Sequence, residues 1–462
     1  MAKNGGKSQK ERLYLGVDVG GTKVQASLVE ESGGRISRDR CRTPRGGTPE
    51  DVLSAIETAV AAAVKKAGFE LADVAAMAVA VPGVVDPDSA RVVVTPNMCL
   101  SGVDIGRLLG DRFDMPVAVG NDCNLGALGE KWLGSASWAE SVVAILVGTG
   151  IGSGIVLGGK LWRGSREAAA EIGHIVMQIG GPKCGCGNYG CFEALAGRAA
   201  IERDIRAAVD SGRGSLVTQL TDGDLSVIRS GILRRALAAE DEVVTEIMHR
   251  AAEVIGHACL TVRHLIDPEV IVLGGGVMEA CHAFMMPTIE EIVAADQLPG
   301  AREGGRVLLS ALGDDAVVLG AVALARRLVG RSPFKRRFQK KQEYPKIDET
   351  SFGQITVKGK THSRDVYILV NGKVKKRNKS LAKDEYGSSH VVGPKELDVV
   401  CRGGPEVVFI GSGQSGAMKL DERGRHYLHQ RSIGVEVLPT PQAAEAYNKS
   451  DRRKAALIHV TC

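Results

Sequence analysis

The sequence predicts an α/β protein made of a duplicated unit and a separate, smaller α/β domain. Three observations carry that expectation. A strand, a glycine-rich turn and a second strand open the chain in RLYLGVDVGGTKVQASLVEESGGRI, and the pattern returns about 130 residues later in SVVAILVGTGIGSGIVLGGKLWRG. The 58 glycines and 4% aromatic content suit tight turns and close backbone packing. A basic, polar stretch at 331–343 interrupts the composition, and new strand and helix patterns follow it. The repeat is short and glycine-rich, so chance similarity is its competing explanation.

Taken in order, Leu13–Val17 is an apolar run entering the first turn, and VQASLV leaves that turn as the second strand of a hairpin. EDVLSAIETAVAAAVKK has apolar positions at helical spacing. AAMAVAVPGVVD reads as a strand ending at Pro82-Gly83, and MPVAVGNDCN as another strand running into the helix LGALGEKWLG. After the second hairpin, helices extend to about residue 266. PEVIVLGGGVMEA then forms a strand-to-helix turn, and VLLSALGDDAVVLGAVALARRLVG closes the unit. The chain thus divides into lobes at 11–122 and 123–330, the last helix being a candidate to return to the first lobe. A basic linker follows at 331–343, then a small domain at 344–462. RSPFKRRFQKKQE reads as a solvated tether rather than a nucleic-acid patch.

Composition excludes some classes. A net charge of +5 spread over 462 residues gives no reason to expect nucleic acid as a partner. No apolar run reaches the 18 or so residues of a membrane span. The start, MAKNGGKSQKER, has no apolar core of a secretory leader, so a cytoplasmic protein with reduced thiols is expected. Seven of the ten cysteines are scattered and read as small buried apolar residues, while Cys184, Cys186 and Cys191 cluster.

The chemistry-bearing residues begin with DVGGTK, Asp18–Lys23. Without side chains at Gly20 and Gly21, backbone N–H groups can approach an anion, with Thr22 adding a hydroxyl and Lys23 a charge. GTGIGSG, from Gly148 through Thr149 and Gly150 to Gly154, repeats this without the lysine. A strand follows each loop, which argues against a Rossmann turn, and neither loop matches the P-loop pattern. Plain tight hairpins are the alternative. Gly274, Gly275 and Gly276 fit either a flat nucleotide or a close helix–strand contact. Asn121 and Asp122, between a strand and a helix, suit an N-cap. Asp122 also suits a general base that takes a proton from an attacking hydroxyl in phosphoryl transfer, with Asp18 helping to hold Mg²⁺. C-x-C-x4-C with His174 ten residues upstream is a Cys3His set that suits a closed, structural zinc site. Glu171 and Glu193 flank it and can accept hydrogen bonds from adjacent hydroxyls such as a sugar presents.

Together these motifs resemble the ROK family (repressor, open reading frame, kinase) of sugar kinases over roughly 11–330. They are DVGGTK, PG at 82–83, ND at 121–122, GTGIGSG, ExGH at 171–174 and CxCGxxGCxE at 184–193. The resemblance implies an actin-like ATPase (ribonuclease H-like) fold of two duplicated lobes around a cleft. It implies Asp122 as catalytic base and Asn97, Asn121, Glu171, His174 and Glu193 as sugar contacts. The two loops would hold the phosphates of ATP, and Gly274–Gly276 would lie near adenosine. His174 would bind zinc through one ring nitrogen and face the sugar with its other side. Two departures stand out: TPNMCLSGVDI lacks a tryptophan often found after Asn97, and Ala170 stands where glycine is usual before ExGH. Only about ten residues precede the first strand, which leaves no room for a helix-turn-helix and favours kinase over regulator.

YPKIDETSFGQITVKGK, VVFIGSGQSG and GVEVLPTPQAAEAYN resemble a small α/β domain known as adipogenesis-associated or uncharacterised, which implies no mechanism. GSGQSG matches GxGxxG literally, but a lone match is weak for a dinucleotide site. The expected activity is ATP-dependent phosphorylation of a hexose, glucose first, using ATP, Mg²⁺ and structural Zn²⁺, in a homo-oligomer (dimer or tetramer). Fructose and N-acetylmannosamine are alternative substrates. A non-catalytic sugar-sensing or scaffold protein is the alternative of another class.

Overall fold

The computed structural model describes residues 11–334 and 344–461, apart from 45, 97, 302, 303, 403, 430 and 432. Most of the expected linker therefore lies outside the described residues. The chain divides into two compact units, Met1–Lys335 and Arg336–Cys462. Among the described residues, no helix is long and apolar enough to cross a membrane.

The first unit contains two five-stranded sheets of matching topology. Its first half runs β1 (Leu13–Val19), β2 (Lys23–Glu30), β3 (Arg35–Arg42), α1 (Pro49–Ala67), β4 (Val74–Val81), β5 (Val84–Asp86), β6 (Arg91–Val94), α2 (Ile105–Phe113) and β7 (Val117–Asn121). Then come α3 (Asp122–Trp132), β8 (Val142–Val147), β9 (Ile151–Leu157), β10 (Lys160–Leu161), α4 (Phe192–Ala196), α5 (Arg198–Asp210), α6 (Leu216–Leu220), α7 (Ser230–Ala238) and α8 (Glu242–Ile266). The unit ends with β11 (Val270–Gly274), α9 (Gly276–Ala294), β12 (Arg306–Leu309) and α10 (Ala316–Leu328). The first sheet has order β3-β2-β1-β4-β7, the second β10-β9-β8-β11-β12. In each, a hairpin is antiparallel and the next two strands add in parallel. The duplication visible in sequence is thus a duplication of sheet topology.

Near-continuous apolar runs make β1, β4, β8 and β11 strands buried on both faces. The sequence reading missed β3, whose RISRDRCR buries only Ser37 and has no apolar run to announce it. Local signals bound α1. Thr48 accepts from the Asp51 N–H in a capping box, Pro49 opens the helix, and Gly68 ends it at φ 73°.

Helices α1 and α2 pack with one face of the first sheet, and α8 and α9 with one face of the second. Between the sheets lie α3 and α10. The last helix packs on β1, β4 and β7 of the first sheet, while α3 packs on β8 and β9 of the second. Leu125, Leu128, Leu319 and Val322 share one core with Ala78, Ala80, Val142 and Val272. The two helices approach through glycine: a Cβ on Gly320 would overlap the Leu125 carbonyl oxygen, and one on Gly129 the Ala316 carbonyl oxygen.

The second unit comprises β13 (Ile347–Ser351), β14 (Gln354–Val357), β15 (Lys360–His362), β16 (Val366–Ile368), β17 (Val374–Lys376), α11 (Lys379–Tyr386), β18 (Val391–Val392), α12 (Pro394–Val400) and β19 (Val407–Ser412). It continues with β20 (Lys419–Leu420), α13 (Glu422–His429), β21 (Gly434–Leu438), α14 (Thr440–Lys449) and β22 (Lys454–His459). Its main sheet has order β17-β16-β22-β19-β21. The GSGQSG loop leads from β19 into the short strand β20, not directly into a helix, and Gly413 N–H donates to Thr440 Oγ1 at 3.0 Å. A side chain at Gly411 would meet that hydroxyl, so close packing of α14 accounts for this glycine. In the same unit Arg377 is fully buried. It forks onto Glu396 at 2.7 and 2.9 Å and reaches Asp365 at 3.3 Å, so each buried charge has a partner.

Of the scattered cysteines, Cys259, Cys281 and Cys401 are buried, Cys41, Cys99 and Cys123 are only half-buried, and Cys462 lies outside the described residues.

The interhelix contact makes a prediction. Gly320→Ala must push α10 from α3, so the first unit should lose about 1–3 kcal/mol by urea denaturation, the usual cost of overpacking. An unchanged midpoint would mean the helices can separate freely.

Candidate functional site

Asp122 opens α3 directly after β7, with the strand delivering it and the helix holding it. Asn121 is the N-cap: its Oδ1 accepts from the Asn124 N–H at 3.0 Å, and its Nδ2 donates to the Gly83 carbonyl at 3.0 Å. Both ends of that amide are engaged, so the structure uses Asn121 as a cap tied to the Pro82-Gly83 turn. Asp122 Oδ1 accepts from the Cys123 N–H at 2.8 Å. Burial raises the Asp122 carboxyl above the ordinary carboxylate range, against the lowering effect of that N–H. Asp18, at the end of β1, is pushed up to about 6, first by burial and next by the Asp122 charge, with Lys23 opposing. Asp18 on β1 thus senses the charge of Asp122 at the start of α3, an arrangement that favours a cation beside the two half-buried carboxylates.

The first glycine loop closes with Gly20 N–H on the Lys23 carbonyl at 3.0 Å, and Thr43 ties it from β3's end. A side chain at Gly21 would meet nothing within 4 Å, so this glycine borders open space and Thr22 beside it is exposed. Lys23 Nζ lies 3.7 Å from Asp314, just before α10. The second loop closes with Gly148 N–H on the Gly150 carbonyl at 2.9 Å. Its Thr149 is exposed, and a Cβ on Gly150 would strike the Glu193 carboxylate. Cys123 fills the space against Gly152 and Gly154, which brings α3 onto this loop. In the third glycine run, Gly275 has φ 86° and its missing side chain would meet the Val147 backbone at 2.7 Å. A close helix–strand contact thus accounts for Gly275. Gly274 packs against Ser310 and Leu146, and Gly276 starts α9 near Ser230.

The cysteine cluster forms a knuckle held by bridges Val176↔Cys191 and Lys183↔Tyr189. The ligand atoms of His174, Cys184, Cys186 and Cys191 all lie within 4.8 Å of one another. Cys186 and Cys191 sulfurs are 3.7 Å apart, too far for a disulfide but close to the edge, about 3.8 Å, of a tetrahedron with zinc–sulfur bonds of about 2.3 Å. His174 presents Nδ1 to Cys184 at 3.6 Å, while its Nε2 lies 3.9 Å from the Glu171 carboxylate. The donor set fits zinc, with four protein ligands and no open position.

Glu193 links the knuckle to the second loop. Its Oε2 accepts from the Ile151 N–H at 2.9 Å, and its Oε1 lies 3.6 Å from the Cys184 sulfur. Glu171 is exposed at the end of the loop that carries Ala170, whose φ of 69° is a conformation that favours glycine. The alanine noted in the motif therefore carries backbone strain beside the site. Asn97 lies outside the described residues. A groove of about 850 Å³, lined by Met177, Leu195, Arg203, Arg213 and Arg250 among others, contains none of these site residues.

Three further residues at the site had no motif to announce them. Arg198 lies on Thr149, Asp314 pairs with Lys23, and Glu279 has its carboxyl raised by burial and by Asp314. Their signal is purely spatial.

Residues 14–328 match the ROK family, and residues 347–459 match a protein of unknown function (DUF498/DUF598). A glucokinase of Streptomyces coelicolor is 32% identical over 320 residues, which cover 68% of this chain and 98% of that protein. The DNA-binding transcriptional dual regulator NagC of Escherichia coli is 28% identical over 313 residues, 68% of this chain and 75% of its own. The crystal structure of a ROK family glucokinase from Streptomyces griseus in complex with glucose and AMPPNP superposes with a TM-score of 0.61 at 32% identity. It covers 68% of this chain and 99% of that one.

The knuckle yields the second prediction. Wild-type protein should retain zinc through gel filtration, and Cys191→Ser should lose most of it together with melting temperature. Metal-free wild type of unchanged stability would contradict a structural zinc.

Proposed function

The chain belongs to the ROK family, and from that premise we propose that it is a kinase transferring the terminal phosphoryl group of ATP to a hexose, with glucose the first substrate to test. The observation carrying this reading is that Asp18, on the hairpin that bears the first glycine loop, senses the charge of Asp122, on the helix whose Cys123 packs against the second loop. Phosphoryl transfer asks a protein mainly to position groups and stabilise charge. The Gly20 and Gly148 amides close the two loops, and the loop amides at Gly21, Thr149 and Gly150, with the Thr22 and Thr149 hydroxyls, suit the donor phosphates. Asp18 is the carboxylate suited to hold Mg²⁺, directly or through water. Bound Mg²⁺ supplies charge neutralisation at the phosphates. Gly276, at the start of α9, is assigned to the adenosine side. Zinc at His174, Cys184, Cys186 and Cys191 has a structural role, fixing Glu193 and the imidazole face of His174.

The hexose is assigned to Asn97, Asn121, Glu171, His174 and Glu193. Within this set, Asn121 acts by capping α3 and so orienting Asp122. Asp122 accepts the proton of the attacking hydroxyl as oxygen closes on phosphorus. Relatives named glucokinase support glucose, while fructose and N-acetylmannosamine remain in the panel because one or two hydrogen bonds decide among hexoses. The regulator among the relatives makes sugar sensing without transfer the contrasting outcome.

ADP release with Mg-ATP across glucose, fructose, mannose, N-acetylglucosamine and N-acetylmannosamine tests this. Asp122→Asn should lower kcat by about 10²–10⁴-fold, the range for a lost general base, with the sugar KM near wild type. Protonated Asp122 cannot accept the hydroxyl proton, and burial raises its pKa. The rate should therefore fall with decreasing pH, around a midpoint above the ordinary carboxylate range. Sugar binding by the wild type without any sugar-stimulated ADP release would sink the kinase reading.

A further inference from the structure

The two glycine loops differ in one respect. The first ends in Lys23, whereas Gly148–Gly154 carries no cation of its own. The fold brings one from 49 residues away. Arg198, the first residue of α5, donates from Nη2 to Thr149 Oγ1 at 2.6 Å and from Nη1 to Glu202 Oε1 at 2.5 Å. The main chain locks the two segments together. The Arg198 N–H donates to the Gly148 carbonyl at 3.0 Å, and the Ala199 N–H to the Thr149 carbonyl at 3.0 Å. Gly197 permits this approach, because a Cβ there would meet the Glu193 carbonyl at 2.8 Å and the Thr149 carbonyl at 3.3 Å. Only 19% of the Arg198 side chain is exposed, so the guanidinium is held at the loop and does not trail in solvent.

We propose that Arg198 is a donor-phosphate-binding residue that gives the second loop the positive charge its own sequence lacks. This rests on reading the loops as the phosphate site. A guanidinium is charged at every working pH and has five N–H donors. Contacts to Thr149 and Glu202 use two of them, and the remaining donors suit the paired oxygens of a phosphate. Glu202 orients the group. It is buried, and Arg206 approaches its other oxygen at 3.8 Å, so its charge is shared between two arginines. Lys23 and Arg198 then approach the donor phosphates from the two loops, Lys23 held by Asp314 and Arg198 by Glu202.

The test measures both turnover and direct binding of Mg-ADP by titration calorimetry, for wild type, Arg198→Ala and Arg198→Lys. Arg198→Ala should weaken Mg-ADP and raise the ATP KM by about tenfold to a hundredfold, as expected for one lost charge-assisted hydrogen bond, with the sugar KM unchanged. Arg198→Lys should recover part of the loss, which a purely structural role would not produce. Melting temperature and zinc content check that each variant folds. If Arg198→Ala binds Mg-ADP as wild type does, the proposal fails while the kinase reading stands. If wild type binds Mg-ADP through Arg198 without transferring to any sugar, the kinase reading fails and the phosphate role stands. Wild type that binds no nucleotide overturns both. Should Arg198→Ala misfold, Glu202→Gln decides. Without the carboxylate that orients it, Arg198 should hold Mg-ADP less tightly, and unchanged or tighter binding overturns the proposal.

Discussion

The first unit depends on a contact that only glycine allows. Where α3 crosses α10, Gly129 and Gly320 let each backbone touch the carbonyl oxygens of the other helix. One helix packs on the first sheet and the other on the second, so this crossing sets the distance between the duplicated halves. Asp122 is the first residue of α3, and its position relative to Asp18 on β1 follows from that distance. Gly16 extends the same close packing, since a side chain there would strike the Val318 backbone of α10. Small residues on the facing surfaces, Ala76, Ala78, Ala80, Ala144 and Ala321, belong to the same tightly packed layer. The abundance of glycine and the scarcity of aromatics in the sequence thus have a structural use: large side chains would hold the halves apart.

A second line of constraint runs from the cysteine knuckle to the glycine loop. Cys184 and His174 face one another within the cluster, Glu193 stands beside Cys184, and Glu193 holds the Ile151 N–H. The knuckle is built from loop, and its short bridges alone would hold these groups weakly. A closed metal site gives such a loop the rigidity that a helix or strand otherwise supplies. In this account zinc acts at a distance from the reaction by fixing Glu193, and through it the turn at which Thr149 is exposed.

Much of this was legible in the sequence wherever the signal was local. Apolar runs identified β1, β4, β8 and β11, and the recurrence of one hairpin pattern anticipated two sheets of equal topology. The two loops and the knuckle are short segments whose residue types announce their chemistry. Polar elements were not legible: β3 buries little, and α11 and α12 of the second unit are short, with few apolar positions to set a period. Asn121 was ambiguous, because capping and sugar contact call for the same residue type, and only its hydrogen bonds to Asn124 and Gly83 identify the cap. Gly275 was ambiguous for a similar reason until its contact with Val147 was seen. Arg198 and Asp314 lay beyond sequence reasoning because each meets its loop across a long separation in the chain, and Glu279 because its neighbour is Asp314, distant in sequence. The residue at 170 carries a different lesson. A change from glycine to alanine looks minor in the motif, but at φ 69° it places strain next to Glu171.

The proposed transfer requires Asp122 to face the acceptor hydroxyl while the two glycine loops hold the donor phosphates. A crystal structure with glucose and a non-hydrolysable ATP analogue tests it most directly. One sugar hydroxyl should lie within about 2.6–3.2 Å of the Asp122 carboxylate, the reach of a general base. That hydroxyl should face a terminal phosphate lying between Gly20–Lys23 and Gly148–Gly150. A sugar whose hydroxyls all avoid Asp122, or phosphates bound away from both loops, would contradict it.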